Sequence, residues 1–229
     1  MSGTARPLVV RVASDGKPGH LNQALGLAEA LARTTPAEIH VVPALPAWRA
    51  ALAWLLKRMP GHTLPAPDLV LGAGHATHLT LLATRRARGG HAVVLMKPSL
   101  PRRCFDLAIV PRHDGVPADD RTLVTDGALN RIRPAAAQDP RRGLMLIGGA
   151  SPHFQWDGDA IQVQIRSVLA RTPEVQWTLT TSRRTPAEFL SGLSAAPNLP
   201  IVPHTATGPA WLPHHLARCG PAWVTPHRP

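Results

Sequence analysis

Leu8-Val-Val-Arg-Val-Ala13 leads directly into Ser14-Asp-Gly-Lys-Pro-Gly-His20, and this junction decides the fold class. The first segment is a short apolar run that predicts a buried strand, and the glycines and proline of the second predict a turn. Apolar residues then recur on one helical face at Leu21, Ala24, Leu25, Ala28 and Leu31. A strand, a turn and a helix in this order are typical of a parallel α/β sheet.

The same alternation continues along the chain. Strands that alternate with helices imply a mainly parallel sheet covered by helices, with right-handed crossovers. Further strands are predicted over residues 39–42, 67–72, 91–96, 106–110 and 122–125, with helices over 48–59 and 75–88.

A linker is predicted over residues 130–142, which contain two prolines, three consecutive alanines and several charges without apolar periodicity. The alternation then restarts, and Thr185-Pro-Ala-Glu188 has the pattern of a capping box at a helix start. We therefore predict two α/β domains, residues 1–133 and 141–229. Strands are predicted after the linker over 143–148, 176–181 and 221–225, with a helix from 157 or 159 to 171.

The end of the second domain departs from this pattern. Pro221-Ala-Trp-Val-Thr225 predicts a buried strand, and the chain stops at Pro229. A buried parallel strand needs a covering helix, and no residues remain to form one. We therefore expect the second domain to be truncated at its C-terminus.

The composition excludes several classes of protein. Hydrophobic residues make up 44% and charged residues 17% of the 229 residues, which excludes wholesale disorder. No apolar run approaches the ~18 residues that span a bilayer, and residues 1–7 lack the apolar stretch of a secretory signal. Cys104 and Cys219 are too few and too far apart for a disulfide framework. We therefore expect a cytoplasmic protein.

The net charge of +11 ordinarily suggests partners that carry phosphate. Only three of the 25 basic residues are lysines, however, and the many alanines and prolines indicate compositional bias. The chain has no long basic block and no tyrosine, so nucleic-acid binding is not the favoured interpretation.

The first turn is a candidate ligand site, because ligands of parallel sheets bind beyond the carboxyl ends of the strands. Gly16 and Gly19 permit close backbone approach, Lys17 adds a cation, and a helix N-terminus follows. The spacing matches neither a dinucleotide fingerprint nor a Walker loop. The alternative is a tight strand-to-helix connection in which His20 caps the helix.

A second candidate follows the strand at 106–110. His113 beside Asp114 offers a general base with an orienting carboxylate, which deprotonation of an acceptor hydroxyl requires. The alternative is a turn stabilised by Asp114 and Gly115, since neighbours on a turn often point apart.

A third candidate lies in the second domain. Gly148 and Gly149 follow its first strand, and Ser182, Arg183 and Arg184 precede the predicted helix. Guanidinium groups beside a helix N-terminus favour a diphosphate ligand. The alternative is a pair of ordinary surface arginines.

Two further features are weaker indications of a functional site. His75 and His78, like His214 and His215, lack the companions of a metal motif, so solvated or capping histidines are favoured and no metal is predicted. The helix from Trp48 to Met59 has an apolar face among basic residues, as in helices that lie on anionic membranes. Packing against the sheet explains the same periodicity and is the favoured interpretation.

Together these motifs resemble the mitochondrial fission family named for elongated mitochondria. The resemblance rests on five segments that arrive in the family's order. They are Asp15-Gly-Lys-Pro-Gly-His20 with Gln23, Pro67-Asp-Leu-Val-Leu-Gly-Ala-Gly74, Phe105-Asp106 with His113-Asp114, Gly148-Gly149, and Ser182-Arg-Arg-Thr-Pro186.

The resemblance implies a glycosyltransferase-B-like architecture of two Rossmann-like domains. A sugar would pass from a nucleoside diphosphate sugar to an envelope or lipid-linked acceptor, with no cofactor or metal. The alternatives are a non-catalytic adaptor, which is the role of the plant member, a membrane-associated interaction protein, and an inactive truncated product. Peripheral contact with the inner face of the cytoplasmic membrane would be made through the helix from Trp48 to Met59. We predict His113 or His20 as base with Asp114 as orienting group. Asp15, Gly16, Lys17, Gly19 and Gln23 are predicted to bind substrate, and Gly148, Gly149, Ser182, Arg183, Arg184 and Thr185 to bind the donor phosphates.

Overall fold

A computed structural model shows an α/β fold with parallel sheets, as the sequence predicted. The chain divides into two compact units, Met1–Arg131 and Ile132–Pro229. The structure describes residues 6–60, 63–133, 137–150, 155–193, 199–208 and 210–225.

The first unit contains a six-stranded sheet in the order β2-β1-β3-β4-β5-β6, and every neighbouring pair is parallel. The register places Val10 of β1 beside Ile39 of β2 and Leu69 of β3. Its strands are β1 (Leu8–Ser14), β2 (Ala37–Pro43), β3 (Leu69–Ala73), β4 (His91–Leu95), β5 (Leu107–Pro111) and β6 (Thr122–Thr125). Its helices are α1 (Pro18–Thr34), α2 (Ala47–Leu56) and α3 (His78–Arg88).

The core of this unit forms two clusters, because alternate residues of each strand point to opposite faces of the sheet. Val10, Val12 and Leu71 belong to one cluster together with Ala24 and Ala28 of α1. Val70, Val94 and Phe105 belong to the other cluster, which also contains Leu81 of α3. Burial on both faces explains why the central strands β1, β3, β4 and β5 are mainly apolar.

Helix α2 corrects a prediction. Leu52 and Leu55, which the periodicity assigned to a face packed against the sheet, are exposed. The buried residues are Ala50 and Ala53, and α2 packs against α3. Small side chains therefore make the inner contact, and the large apolar side chains point outward.

The second unit contains a four-stranded parallel sheet in the order β10-β7-β8-β9. Its core includes Met145, Ile165, Trp177 and Phe189. The strands are β7 (Arg142–Ile147), β8 (Gln176–Thr181), β9 (Ile201–Val202) and β10 (Ala222–Val224), and the helices are α4 (Gly158–Arg171), α5 (Ala187–Ser191) and α6 (Trp211–Leu216).

Strand β10 also corrects a prediction, because it is not buried. It occupies one edge of the sheet and pairs only with β7 among the described strands. Val224 is 55% exposed, whereas the following residue, Thr225, is buried. Residues 226–229, on which the predicted truncation rests, lie outside the described residues.

Asp106 connects three elements of the first unit. Its Oδ2 accepts a hydrogen bond from the Ala92 N–H at 2.7 Å and from Arg85 at 3.1 Å. Partial burial raises the pKa of the Asp106 carboxyl, but these two donors lower it by more, and the net result is a pKa below the usual value.

This carboxyl should make the first unit sensitive to acid. The pKa of Asp106 is lower in the folded chain than the ~3.9 of an unfolded one, so its stabilisation is present above about pH 4 and is lost as the pH falls further. We expect Asp106→Asn to lose about 1 kcal/mol at pH 7. The difference in melting temperature between the wild type and Asp106→Asn should therefore become smaller below pH 4. Asp126→Asn, at a carboxylate whose side chain is 90% exposed, is the control, and a gap that widens in acid would contradict the prediction.

Candidate functional site

The carboxyl edge of the six-stranded sheet positions the first candidate site. β1 lies between β2 and β3, so the connections that leave β1 and β2 run in opposite directions along the sheet. Such a switch point opens a crevice beyond the carboxyl ends of the strands. The turn after β1 and the turn after β3 meet there.

Asp15 and His20 form a close pair at this point. Asp15 Oδ2 lies 2.8 Å from His20 Nδ1, and the Asp15 side chain is only 4% exposed. Asp15 Oδ1 also accepts from the Lys17 N–H at 3.1 Å. Burial raises the pKa of Asp15, but the hydrogen bonds from His20 and Lys17 lower it by more, so the carboxylate form is favoured.

The second ring nitrogen of His20 is available for chemistry. The side chain is 20% exposed, and Nε2 has no hydrogen-bond partner among the described residues. An imidazole whose Nδ1 is held by a carboxylate presents Nε2 as a proton acceptor. The pair therefore has the arrangement of a general base with its orienting group.

Gly74, at the end of β3, fits closely against this pair. Its φ is +82°, a conformation that favours glycine, and a Cβ there would lie 2.4 Å from His20 Nδ1. Gly74, the last residue of the family-like segment from Pro67 to Gly74, therefore makes room for the imidazole. The turn after β3 thereby fixes the position of a side chain that belongs to α1.

A pocket of about 450 Å³ lies beside the pair. Lys17 and Lys97 both line it, although the chain contains only three lysines. His75, Met96, Pro98 and Ser99 complete the wall with His20 and Gly74. Gln23, a predicted substrate-binding residue, donates from its amide to Met96 Sδ at 3.4 Å and so supports this wall. Gly16 and Gly19 are exposed, with open space where a Cβ would lie.

His113 and Asp114 do not form the predicted hydrogen-bonded pair. His113 Nε2 lies 3.7 Å from Asp114 Oδ1, beyond hydrogen-bond distance. Asp114 Oδ2 instead accepts from the Lys97 N–H at 3.1 Å and connects the turn after β5 to the turn after β4. Of the two predicted bases, His20 has a carboxylate within hydrogen-bond distance and His113 does not.

In the second unit, Gly148 and Gly149 follow β7, and their contacts explain why both are glycines. The Gly148 N–H donates to Thr225 Oγ1 at 2.8 Å, and a Cβ at Gly148 would lie 2.9 Å from that oxygen. A Cβ at Gly149 would collide with the Arg184 carbonyl. Both glycines therefore permit the close approach of neighbouring loops.

Thr185 corrects the predicted capping box. Helix α5 begins at Ala187 with Pro186 as its N-cap, and no side chain caps it. The Thr185 hydroxyl donates instead to the Gly148 carbonyl at 2.6 Å and accepts from the Ser182 N–H at 2.9 Å. It connects the loop after β8 to the end of β7.

Arg183 and Arg184 lie in the same loop after β8. The Ser182 hydroxyl accepts from the Arg184 N–H at 3.2 Å. Both arginine side chains are exposed, and among the residues that the structure describes their guanidinium groups have no acidic partner. Two free cations therefore follow β8 at the carboxyl edge of this sheet.

The N-terminus of α4 is less suited to an anion. Asp157 caps it by accepting from the Ala160 N–H at 2.9 Å, and Asp159 lies in its first turn. These carboxylates already satisfy the positive end of the helix dipole. A phosphate in this unit would therefore meet the arginines rather than α4.

The sequence analysis missed one pairing in the first unit. His78, predicted to be solvated or a cap, is buried, and its ring packs edge-on against Phe105. Its Nδ1 lies 3.2 Å from Ser99 Oγ in the pocket wall. Burial, followed by the charge of His75, lowers the pKa of His78. The signal was its spacing of three residues before Leu81, which places both on the buried face of α3.

Solved structures of similar fold are known. UDP-GlcNAc 2-epimerase from Neisseria meningitidis, bound to UDP-GlcNAc, matches at 8% identity and a TM-score of 0.50, over 96% of this chain and 77% of that chain. A co-structure of S. aureus MnaA with UDP matches at 10% identity and a TM-score of 0.48, over 96% of this chain and 74% of that chain. Acinetobacter baumannii MurG matches at 14% identity and a TM-score of 0.43, over 89% of this chain and 67% of that chain.

The fold and the site define a parallel α/β protein with a carboxylate–imidazole pair at the carboxyl edge of its first sheet. Its fold resembles that of the epimerase. The family model described as Mitochondrial fission ELM1 matches residues 18–227, and the chain belongs to that family, which confirms the resemblance seen in the motifs. No curated protein matches the chain.

Proposed function

We propose that the chain is a glycosyltransferase-B-like enzyme of two Rossmann-like domains. It would transfer a sugar from a nucleoside diphosphate sugar to an envelope or lipid-linked acceptor at the inner face of the cytoplasmic membrane. The observation that carries the proposal is the Asp15–His20 pair, because His20 lines the pocket and its Nε2 has no hydrogen-bond partner among the described residues. Family membership and the epimerase-like fold support it.

The proposed reaction is a single displacement. His20 Nε2 takes the proton of an acceptor hydroxyl, and that oxygen bonds to the anomeric carbon of the sugar. The bond from this carbon to the diphosphate breaks, and its electron pair leaves with the nucleoside diphosphate. Asp15 orients the imidazole and stabilises the imidazolium that forms.

The positions of the basic side chains support donor binding by the second unit and acceptor binding by the first. Arg183 and Arg184 are free cations suited to the leaving diphosphate. Lys17 and Lys97 line the pocket beside His20, and none of the described lining residues is acidic. The two nearby carboxylates already have partners, since Asp15 pairs with His20 and Asp114 accepts from the Lys97 N–H. This excess of positive charge at the pocket suits an acceptor that itself carries phosphate, as a lipid-linked acceptor does.

Titration with UDP and GDP tests the donor site. We expect Arg183→Ala/Arg184→Ala to weaken nucleoside diphosphate binding by about tenfold to a hundredfold, because charge-assisted hydrogen bonds are lost. Isothermal calorimetry would measure the change. The matched control is Arg166→Ala/Arg171→Ala, which removes the same charge from exposed positions of α4 and should alter the Kd less than about twofold. Equal losses in both variants would contradict a local site.

A non-catalytic adaptor is the second candidate, and the outward apolar face of α2 favours it. An adaptor needs an exposed binding face but no nucleotide. Absence of UDP and GDP binding to the folded chain would support the adaptor over the transferase.

A further inference from the structure

The outer face of α2 exposes an unusual amount of apolar surface. Trp48 is 65% exposed and Leu55 is 67% exposed, and Leu52 and Leu56 are about half exposed. Residues at positions 48, 52, 55 and 56 share one helical face. We call these four side chains the α2 outer face.

The burial of this helix is the reverse of what a surface helix normally shows. Its inner contact with α3 uses Ala50 and Ala53, so its largest apolar side chains are left to solvent. A hydrogen bond also joins the loop before α2 to α3, since the Leu45 N–H donates to Thr80 Oγ1 at 2.9 Å. A contiguous exposed apolar patch of this kind marks an interaction site.

The charges around α2 indicate what kind of partner its outer face would bind. Between Glu38 and Asp106 the sequence contains a single acidic residue, Asp68, which is already paired with Arg6. Arg49 borders the outer face, with its guanidinium 5.0 Å from the centre of the Trp48 ring. Such a surface attracts negative charge and repels a basic protein, including a second copy of this chain with its net charge of +11.

We propose that the α2 outer face docks the protein on an anionic lipid bilayer. Trp48 and the three leucines enter the boundary between headgroups and acyl chains, where tryptophan is favoured. Arg49, Lys57 and Arg58 contact the lipid phosphates. Among the described residues, none of the helices combines the length and apolarity that a membrane span requires, so this contact is at the surface. Docking does not depend on the proposed sugar transfer.

Vesicle co-sedimentation tests the docking. We expect the full chain to bind vesicles of equimolar phosphatidylglycerol and phosphatidylcholine, to bind pure phosphatidylcholine weakly, and to be released by high salt. Trp48→Ser/Leu55→Ser should reduce the partition coefficient at least about tenfold, because both side chains leave the membrane. Arg49→Gln/Arg58→Gln should reduce it about fivefold for each charge removed.

The matched control is Leu123→Ser/Val163→Ser, which removes two comparably exposed apolar side chains from β6 and α4. It should bind vesicles like the wild type, and circular dichroism should show that every variant is folded. The proposal is overturned if folded wild type fails to bind anionic vesicles, or if the Trp48/Leu55 variant binds as well as the control. It is also overturned if light scattering shows a dimer that this variant abolishes. None of these measurements requires a donor sugar or turnover, so they leave the transferase proposal untouched.

Discussion

His20→Ala is expected to lower turnover by about a hundredfold to ten-thousandfold, the usual contribution of a general base. The reason is the geometry of the pair, in which Asp15 holds Nδ1 at 2.8 Å, Nε2 has no described hydrogen-bond partner, and the ring lines the pocket. The measurement is release of nucleoside diphosphate from a UDP- or GDP-sugar in the presence of a membrane lipid extract. Asp15→Asn should also lower turnover, because the imidazole loses its orienting carboxylate.

Two other histidines make this experiment specific. His91→Ala removes an exposed imidazole from the opposite edge of the same sheet and should leave turnover unchanged. A larger loss in His113→Ala than in His20→Ala would show that the base had been assigned to the wrong histidine. No release by the wild type would contradict the transferase proposal itself.

Gly149→Ala is expected to destabilise the second unit by about 3 kcal/mol or more. A Cβ at this position would collide with the carbonyl of Arg184, and a backbone atom cannot move aside as a flexible side chain can. In a unit of this size such a loss lowers the melting temperature by about 15 °C. Differential scanning calorimetry would measure it.

Gly208→Ala is the matched control in the same unit. Apart from Gly208 and its chain neighbours, no atom of the described residues lies within 4 Å of the Cβ position there, so we expect a change within about 0.5 kcal/mol. If Gly149→Ala melts like Gly208→Ala, the close approach of the two loops is not as the structure shows it. In the folded fraction, Gly149→Ala should also weaken UDP binding, because it displaces the loop that presents Arg183 and Arg184.

Much of the fold could be predicted from local patterns. The run from Leu8 to Ala13 is continuous because β1 is buried on both faces, and such runs identify parallel strands without any knowledge of their partners. The turn from Asp15 to His20 was predicted as a ligand site for a similar reason. The carboxyl end of a parallel strand is a position that the sequence alone can identify.

The pairing of polar side chains could not be predicted. Asp114 was assigned to its neighbour His113, yet it accepts from the Lys97 N–H in another loop. Thr185 was assigned to its own helix, yet it bonds to Gly148. Hydrogen bonds join whichever donor and acceptor the sheet brings within about 3 Å, and sequence distance does not determine this.

The sequence by itself determined the α/β alternation, the family and the segment that carries the Asp15–His20 pair. The tertiary structure alone decided that His20 Nε2 is open, that Gly74 makes room for the ring, and that α2 turns its large apolar side chains outward. The physical reason is that periodicity shows which side chains share a face, whereas burial depends on what that face meets. On α2 the contact with α3 is made by alanines, and this decides which face remains exposed.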